Sequence, residues 1–321
     1  MLMRIWGARG SIPTPMTTED LRERLKAALT QSQGLDLSDP AAIERHIDRL
    51  PAHVNTVASG NTSCVELRVN NQLFILDMGS GIKGLGEAMM SNGFSGDMHI
   101  FISHMHLDHI EGYPFFVPAY IAENHVHFYS PREDLGKRLS MFMDAPYFPV
   151  DLDYQAAKKS FHTLSIDEEQ TIEGVSVRLL ELDHPGKAFA YRFSFGGKVL
   201  VYASDGEYPT MDHGSTAKYE DFFRDADVLI FDAMYTYEDA VTSKMHWGHS
   251  TARAGAELAW RAGVKQLILT HHDPISPAQE LWARITDAEN HLRYRMTRDG
   301  HTSEAPPVEV MLATEGLTLE L

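Results

Sequence analysis

His104-Met105-His106-Leu107-Asp108-His109 places three imidazoles and a carboxylate within six residues, directly after the apolar run Met98–Ser103. Such a run reads as a strand, and a strand ending this way delivers its side chains where the chain turns at a sheet edge. Residues two apart point the same way in extended backbone, so His104 and His106 share a face. Asp108 and His109 follow in the turn and reach a second point a few ångströms away. Imidazole and carboxylate donors packed this closely read as a metal site, with enough ligands for two ions.

His-x-His-x-Asp-His after a strand resembles the signature of the metallo-β-lactamase fold, an α/β architecture of two sheets between helices (an αββα sandwich). The resemblance implies three later ligands in order, a His, an Asp and a His, each near a strand end. Val175–Leu182 ends at Asp183-His184, Lys198–Ala203 ends at Ser204-Asp205, and Gln266–Thr270 ends at His271-His272. By that resemblance His104, His106 and His184 hold one ion. Asp108, His109 and His271 hold the second, and Asp205 bridges the two. His271 is taken over His272 because it follows the strand directly; His272 is expected behind the ligands or at the surface. Zinc is the expected ion, although Mn(II) and Fe(II) accept the same donors.

The chain has 321 residues, 43% of them hydrophobic, enough for a substantial core. Ligands spread from His104 to His271 must converge, so residues 1–321 are read as one domain. No run approaches the ~18 apolar residues of a membrane span, and no signal-peptide pattern opens the chain. One cysteine, Cys64, excludes an intramolecular disulfide and suits a reducing compartment, so a cytoplasmic location is expected. The formal net charge is −17. Proteins that grip long nucleic acid usually present a basic face, and the densest basic pairs here are Lys137-Arg138 and Lys158-Lys159. The balance favours a small anionic substrate over a long polyanion.

Leu2–Gly7 reads as an opening strand. Thr18–Gln33 has helical spacing with Leu21, Leu25 and Leu29 on one face, and a second helix starts with Asp39 as N-cap and Pro40 at its first position. Residues from about 16 to 59 therefore form a helical insertion, scaffold or lid. Asn70-Asn71 and Gly196-Gly197 are hairpin turns. Gly79-Ser80-Gly81 lacks the spacing and lysine of a phosphate loop and reads as a tight strand-to-helix turn. Val308–Ala313 and Leu317–Leu321 read as a terminal hairpin around Glu315-Gly316, and Gly300–Pro307 as the one mobile loop.

His249-Ser250-Thr251, just before a helix that leads to the His271 strand, resembles the His-Ser-Thr element of the ribonuclease Z-like phosphodiesterase branch. Asp232, ending Val228–Asp232, is similar to that branch's acidic residue, typically Glu. The resemblance implies that His249 protonates the leaving oxygen or stabilises the transition state, with Asp232 orienting its imidazole. Asp108 can accept a proton from the attacking water, and two ions lower that water's pKa. Thr251 or Ser250 can cap the helix without conflict, because capping uses the hydroxyl. Arg9-Gly10-Ser11 and Gly60-Asn61-Thr62-Ser63 resemble segments of bacterial cyclic-phosphate phosphodiesterases in that branch. The expected function is therefore dinuclear, metal-dependent hydrolysis of a small phosphodiester, a cyclic nucleotide or ribose cyclic phosphate, by a homodimer. The rivals are an RNA-processing ribonuclease Z, which holds its substrate with a basic glycine-rich arm not evident between Tyr129 and Leu182, and a lactonase or thioester hydrolase, which does not need His249.

Overall fold

Period-two alternation along the strands sorts the molecule into layers. The structure, a computed structural model, describes residues 1–145, 147–166, 168–301 and 306–321. Its first sheet is built from β1 (Leu2–Gly7), β2 (Cys64–Val69), β3 (Gln72–Leu76), β4 (Asp97–Phe101), β5 (His125–Ser130) and β6 (Lys158–Thr163). The second holds β7 (Gln170–Ile172), β8 (Val175–Leu182), β9 (Ala188–Phe195), β10 (Lys198–Ala203), β11 (Val228–Asp232), β12 (Gln266–Thr270) and β13 (Glu309–Leu312). The last strand, β14 (Thr318–Glu320), returns to the first sheet beside β1.

Between β1 and β2 run α1 (Thr18–Gln31), α2 (Pro40–Arg49) and α3 (Ala52–Asn55). Helices α4 (Gly81–Ser91) and α5 (Leu135–Phe142) cover the first sheet. The later helices are α6 (His213–Phe223), α7 (Tyr237–Val241), α8 (Ala252–Ala262) and α9 (Ala278–Arg298). Inward-facing Phe74, Phe101, Leu179, Phe193 and Ile230 fuse the two sheets into one core. Outward-facing Ile75, Ile100 and Phe128 pack with Ile82 and Leu85 of α4 and Leu139 of α5. On the far side Leu229, Phe231 and Leu267 pack with Phe223 of α6, Ala256 of α8 and Leu292 of α9. Each such side chain contributes about 1.5–3 kcal/mol of burial. The result is the expected αββα sandwich.

Local chemistry sets the element boundaries. Asp39 caps α2 by accepting from Ala41 N, with Pro40 at the first turn, and Thr251 caps α8 by accepting from Ala254 N. Asn70 and Asn71 both take positive φ, as a two-residue hairpin turn requires. The leucine stripe of α1 is helical as expected but unburied: Leu21, Leu25 and Leu29 are 43%, 52% and 65% exposed. Helical spacing predicts a face and not what covers it.

The chain terminus departs from expectation. The two last strands do not pair with each other: β13 extends the second sheet in parallel with β12, and β14 pairs antiparallel with β1. The turn at Glu315-Gly316 carries the chain from one sheet to the other, and Glu315 Oε1 accepts from the amides of Gly60 and Asn61 at 2.7 and 2.8 Å. A hairpin docked on either sheet would leave an edge of the other open; separate docking covers both β1 and β12. Residues 302–305 of the Gly300–Pro307 loop lie outside the described residues.

Strand direction positions the site. β3 to β6 run parallel, as do β10 to β13. β8 shares the direction of β10 through two antiparallel steps across β9. The carboxyl ends of β3, β4, β8, β10, β11 and β12 therefore open on one rim, where ligands of α/β sheets usually bind.

Candidate metal centre

The seven expected ligands converge on that rim from four places in the chain. His184 Nε2 lies 3.1 Å from His106 Nδ1, and the His104 ring lies 4.5 Å from His106 and 4.8 Å from His184 between centroids. These three imidazoles form one group whose donor atoms sit within 4.8 Å of one another. Asp108, His109 and His271 form another such group, with His271 Nε2 3.1 Å from Asp108 Oδ2 and 3.4 Å from His109 Nε2. Asp205 stands between them. Its Oδ1 is 3.9 Å from His104 Nε2 and 3.1 Å from His271 Nε2, and its Oδ2 is 3.2 Å from His109 Nε2.

The backbone is strained where it aims these groups. Asp77, Asp205 and His271, each the residue after a strand or one beyond, take φ of 59°, 61° and 59°. Left-handed backbone at three non-glycine residues around one point marks a functional constraint.

Electrostatics fit bound cations. His104 is buried, its Nδ1 lies 3.1 Å from Ser103 Oγ, and its Nε2 has no hydrogen-bond partner among the described residues. Burial, with His109 nearby, pushes its basicity well below that of an ordinary imidazole, leaving an inward lone pair. Burial pushes the Asp205 carboxyl up, but His109, His271 and His104 outweigh it and hold the group well below the usual carboxylate range. Burial likewise opposes charge on His271, yet Asp205 and Asp108 raise it to about 9. Carboxylates this acidic packed this closely with imidazoles are a donor set for divalent ions.

Several groups that hold the centre had little or no sequence signal. Asp77 is fully buried and accepts from Ser103 N at 2.7 Å, Ser103 Oγ at 2.6 Å, His109 Nδ1 at 2.7 Å and the Tyr202 hydroxyl at 2.8 Å. It thereby fixes the His109 tautomer with Nε2 facing the cluster. The only hint was that Asp77 ends a strand adjacent to the one preceding His104. Ser11 N donates to Asp108 Oδ2 at 2.7 Å. Arg9 donates to the carbonyls of Ser59 and Asp273 at 3.1 and 2.9 Å. The Arg9-Gly10-Ser11 segment thus braces the loop that carries His271, and Asn61 O in turn accepts from the amides of Ala8 and Arg9 at 3.0 and 2.9 Å. Gly10 packs flat on that ring: a Cβ there would sit 2.5 Å from His271 Nδ1.

His272 does not reach the ligand group and is not at the surface. It is fully buried, its Nε2 donates to Ala313 O at 2.7 Å, and burial lowers it to about 3. His246 is exposed, and its amide donates to Glu207 Oε1 at 2.9 Å. Glu207 also accepts from Gly248 N at 3.0 Å, and Gly248 O accepts from His184 Nδ1 at 2.8 Å. Gly248 takes φ of 84°, and a Cβ there would meet His184 Nδ1 at 2.2 Å, so this position needs glycine.

His249 follows. Its Nδ1 donates to Asp232 Oδ2 at 2.7 Å, and its ring stacks on His271 at 4.8 Å. His249 also lines an open cleft of about 530 Å³ walled by Tyr208, Tyr237, Met245, Arg253 and Tyr294. Of the seven ligand candidates and the Asp232–His249 pair, only His249 borders that cleft.

Residues 95–272 match the family described as the β-lactamase superfamily domain. The chain belongs to that superfamily. A ribonuclease Z of Archaeoglobus fulgidus is 25% identical over 252 residues, covering 66% of this chain and 81% of that protein. Among solved structures, the metallo-β-lactamase fold protein YhfI of Bacillus subtilis superposes with a TM-score of 0.63 at 15% identity over 99% of this chain and 98% of that one. A diphosphatase from the PhnP family gives 0.60 at 18% identity over 100% and 97%. The superfamily fold implies divalent metal ions, and the His/Asp groups above fit them. Among the described residues, no helix is long and apolar enough to cross a membrane.

Proposed function

We propose that this protein is a dinuclear metal-dependent phosphodiesterase acting on a small phosphodiester, a cyclic nucleotide or ribose cyclic phosphate. His104, His106 and His184 would hold one ion, and Asp108, His109 and His271 the other, with Asp205 shared and zinc the expected metal. When bound, such ions hold phosphoryl oxygens and acidify a water. The observation that carries the reading beyond a metal-dependent hydrolase is the Asp232–His249 pair at 2.7 Å beside the ligand group. With Nδ1 committed to Asp232, Nε2 is the nitrogen left to carry a proton to a departing alkoxide, a step worth about 10²–10⁴-fold. Asp108, whose Oδ2 accepts from the Ser11 amide, would take a proton from the attacking water.

The cleft supports a small substrate. Its volume lies within the ~300–1,000 Å³ of small-molecule sites, and His249 is on its wall. The rival reading, RNA processing, is favoured by relatives named ribonuclease Z. Against it stand the net charge of −17 and the segment from Tyr129 to Leu182, whose described part holds α5, β6, β7 and β8.

Metal-reconstituted protein should be screened against cyclic mononucleotides, cyclic dinucleotides, a ribose cyclic phosphate and a precursor transfer RNA. Turnover of a small cyclic diester is the expected result. Cleavage of the transfer RNA alone would install the ribonuclease reading, and ester hydrolysis that survives His249→Ala would install a lactonase or thioesterase.

A further inference from the structure

A second histidine cluster lies towards the amino ends of β4, β5 and β6, and shares only β4 with the candidate centre. Parallel pairing sets Asp97 beside His125, His99 beside His127, and His127 beside Ser160, so all five project from one face of β4, β5 and β6. Farther along, that face carries Phe101 and Tyr129 into the core between the sheets. At the amino ends the cover is incomplete: His125 and His127 are half-buried and Asp97 is exposed. This cluster shares no residue with the candidate centre.

From this geometry we propose that Asp97, His125 and His127 bind one divalent transition-metal ion of zinc-like preference. Their donor atoms lie within 4.8 Å of one another. Asp97 Oδ1 is 2.9 Å from His127 Nε2 and 3.5 Å from His125 Nδ1. Ligand bonds of roughly 2.0–2.1 Å in tetrahedral geometry separate donors by about 3.3–3.4 Å, which those two distances bracket.

The rings are held by their far nitrogens. His125 Nε2 lies 2.8 Å from Ser160 Oγ, and His127 Nδ1 lies 3.2 Å from His162 Nε2. Such outer partners orient metal-ligating imidazoles and fix their tautomers. They leave His125 Nδ1 and His127 Nε2 turned towards the carboxylate. The two rings are 3.7 Å apart between centroids, and buried His99 stacks on His127 at 4.9 Å. His99 is anchored by Nδ1 to the Tyr129 hydroxyl at 3.0 Å, and its Nε2 has no partner among the described residues. Burial and the charge of His127 lower His125, so it offers a neutral donor at pH 7. Two imidazoles and one carboxylate with solvent-facing positions open suit Zn(II), Ni(II) or Cu(II), and not Mg(II) or Ca(II).

Zinc content after equilibrium dialysis against micromolar zinc tests the site in wild type, His127→Gln and Asp97→Asn. Asp97→Asn alters one exposed side chain, so it tests the site without threatening the fold. The expected result is one zinc fewer per chain in both variants, with hydrolysis of bis(p-nitrophenyl) phosphate within about twofold of wild type. Zinc should also raise the Tm of wild type by more than that of either variant, and magnesium should not, because only an ion held by the native state stabilises it. Equal zinc content in all three proteins would overturn the proposal and leave a hydrogen-bonded surface patch. So would loss of that zinc together with activity, which would place the ion in the other centre. The zinc count does not depend on the phosphodiesterase reading.

Discussion

Two histidine clusters sit at opposite ends of β4 and differ in what surrounds them. At the carboxyl ends, the ligand candidates are nearly all buried, their loops hold three left-handed non-glycine residues, and a fully buried aspartate fixes one tautomer. At the amino ends the residue types are the same, but the backbone is regular strand and the carboxylate is in water. Composition alone therefore does not separate a reaction centre from a peripheral cation site. Burial, strain and the second rank of hydrogen bonds do, because desolvation makes each unpaired donor costly unless a cation fills the gap.

Substitutions at each end test that contrast. The largest effect is expected at Asp108: changing it to Ala should lower kcat for bis(p-nitrophenyl) phosphate by about 10³-fold or more, since it removes a ligand candidate and a proton acceptor together. Chelation should abolish the same activity and zinc or manganese restore it. Near wild-type turnover in Asp108→Ala would put the chemistry elsewhere. His249→Ala should slow diester cleavage by about 10²-fold while metal content, read by elemental analysis, stays unchanged. If metal is lost, His249 is a ligand and not a proton donor.

Asp77→Asn probes the buried brace. An amide cannot hold the His109 tautomer as a carboxylate does, so metal affinity should fall about 10–100-fold in chelator competition, with the fold retained by circular dichroism. Unchanged affinity would mean that Asp77 serves packing alone.

The smallest effect belongs to the amino-end cluster and appears as a pH slope. Burial, with the charge of His127, lowers His99 to about 4. Its folded pKa thus lies below the unfolded value of about 6.5, so the folded state resists protonation. Stability tied to His99 is fully present above about pH 6.5 and is lost as the pH falls towards 4. Urea midpoints should show wild type losing about 1–2 kcal/mol more than His99→Leu between pH 7 and pH 5. Parallel pH profiles would mean that His99 is hydrated in solution.

Much of this molecule is legible along the chain, wherever a short stretch carries its own physical cause. The Asp39-Pro40 start of α2, the Asn70-Asn71 turn, the Thr251 cap and the bounds of β1, β8, β10, β11 and β12 follow from side-chain spacing and local hydrogen bonding. That these seven side chains cluster was legible too, through the resemblance that led from His104–His109 to His184, Asp205 and His271 at later strand ends. Partnership across the chain was not. That β13 and β14 part to opposite sheets depends on which edges stand open once the rest has folded. The leucines of α1 face water, which no periodicity records. Asp77, Ser11 and Glu207 matter only because strands far apart in the chain bring them against His109, Asp108 and the Gly248 loop. Backbone preferences act over a few residues and are written into the sequence; edge pairing, burial and the aim of a buried carboxylate arise only when distant segments exclude water together.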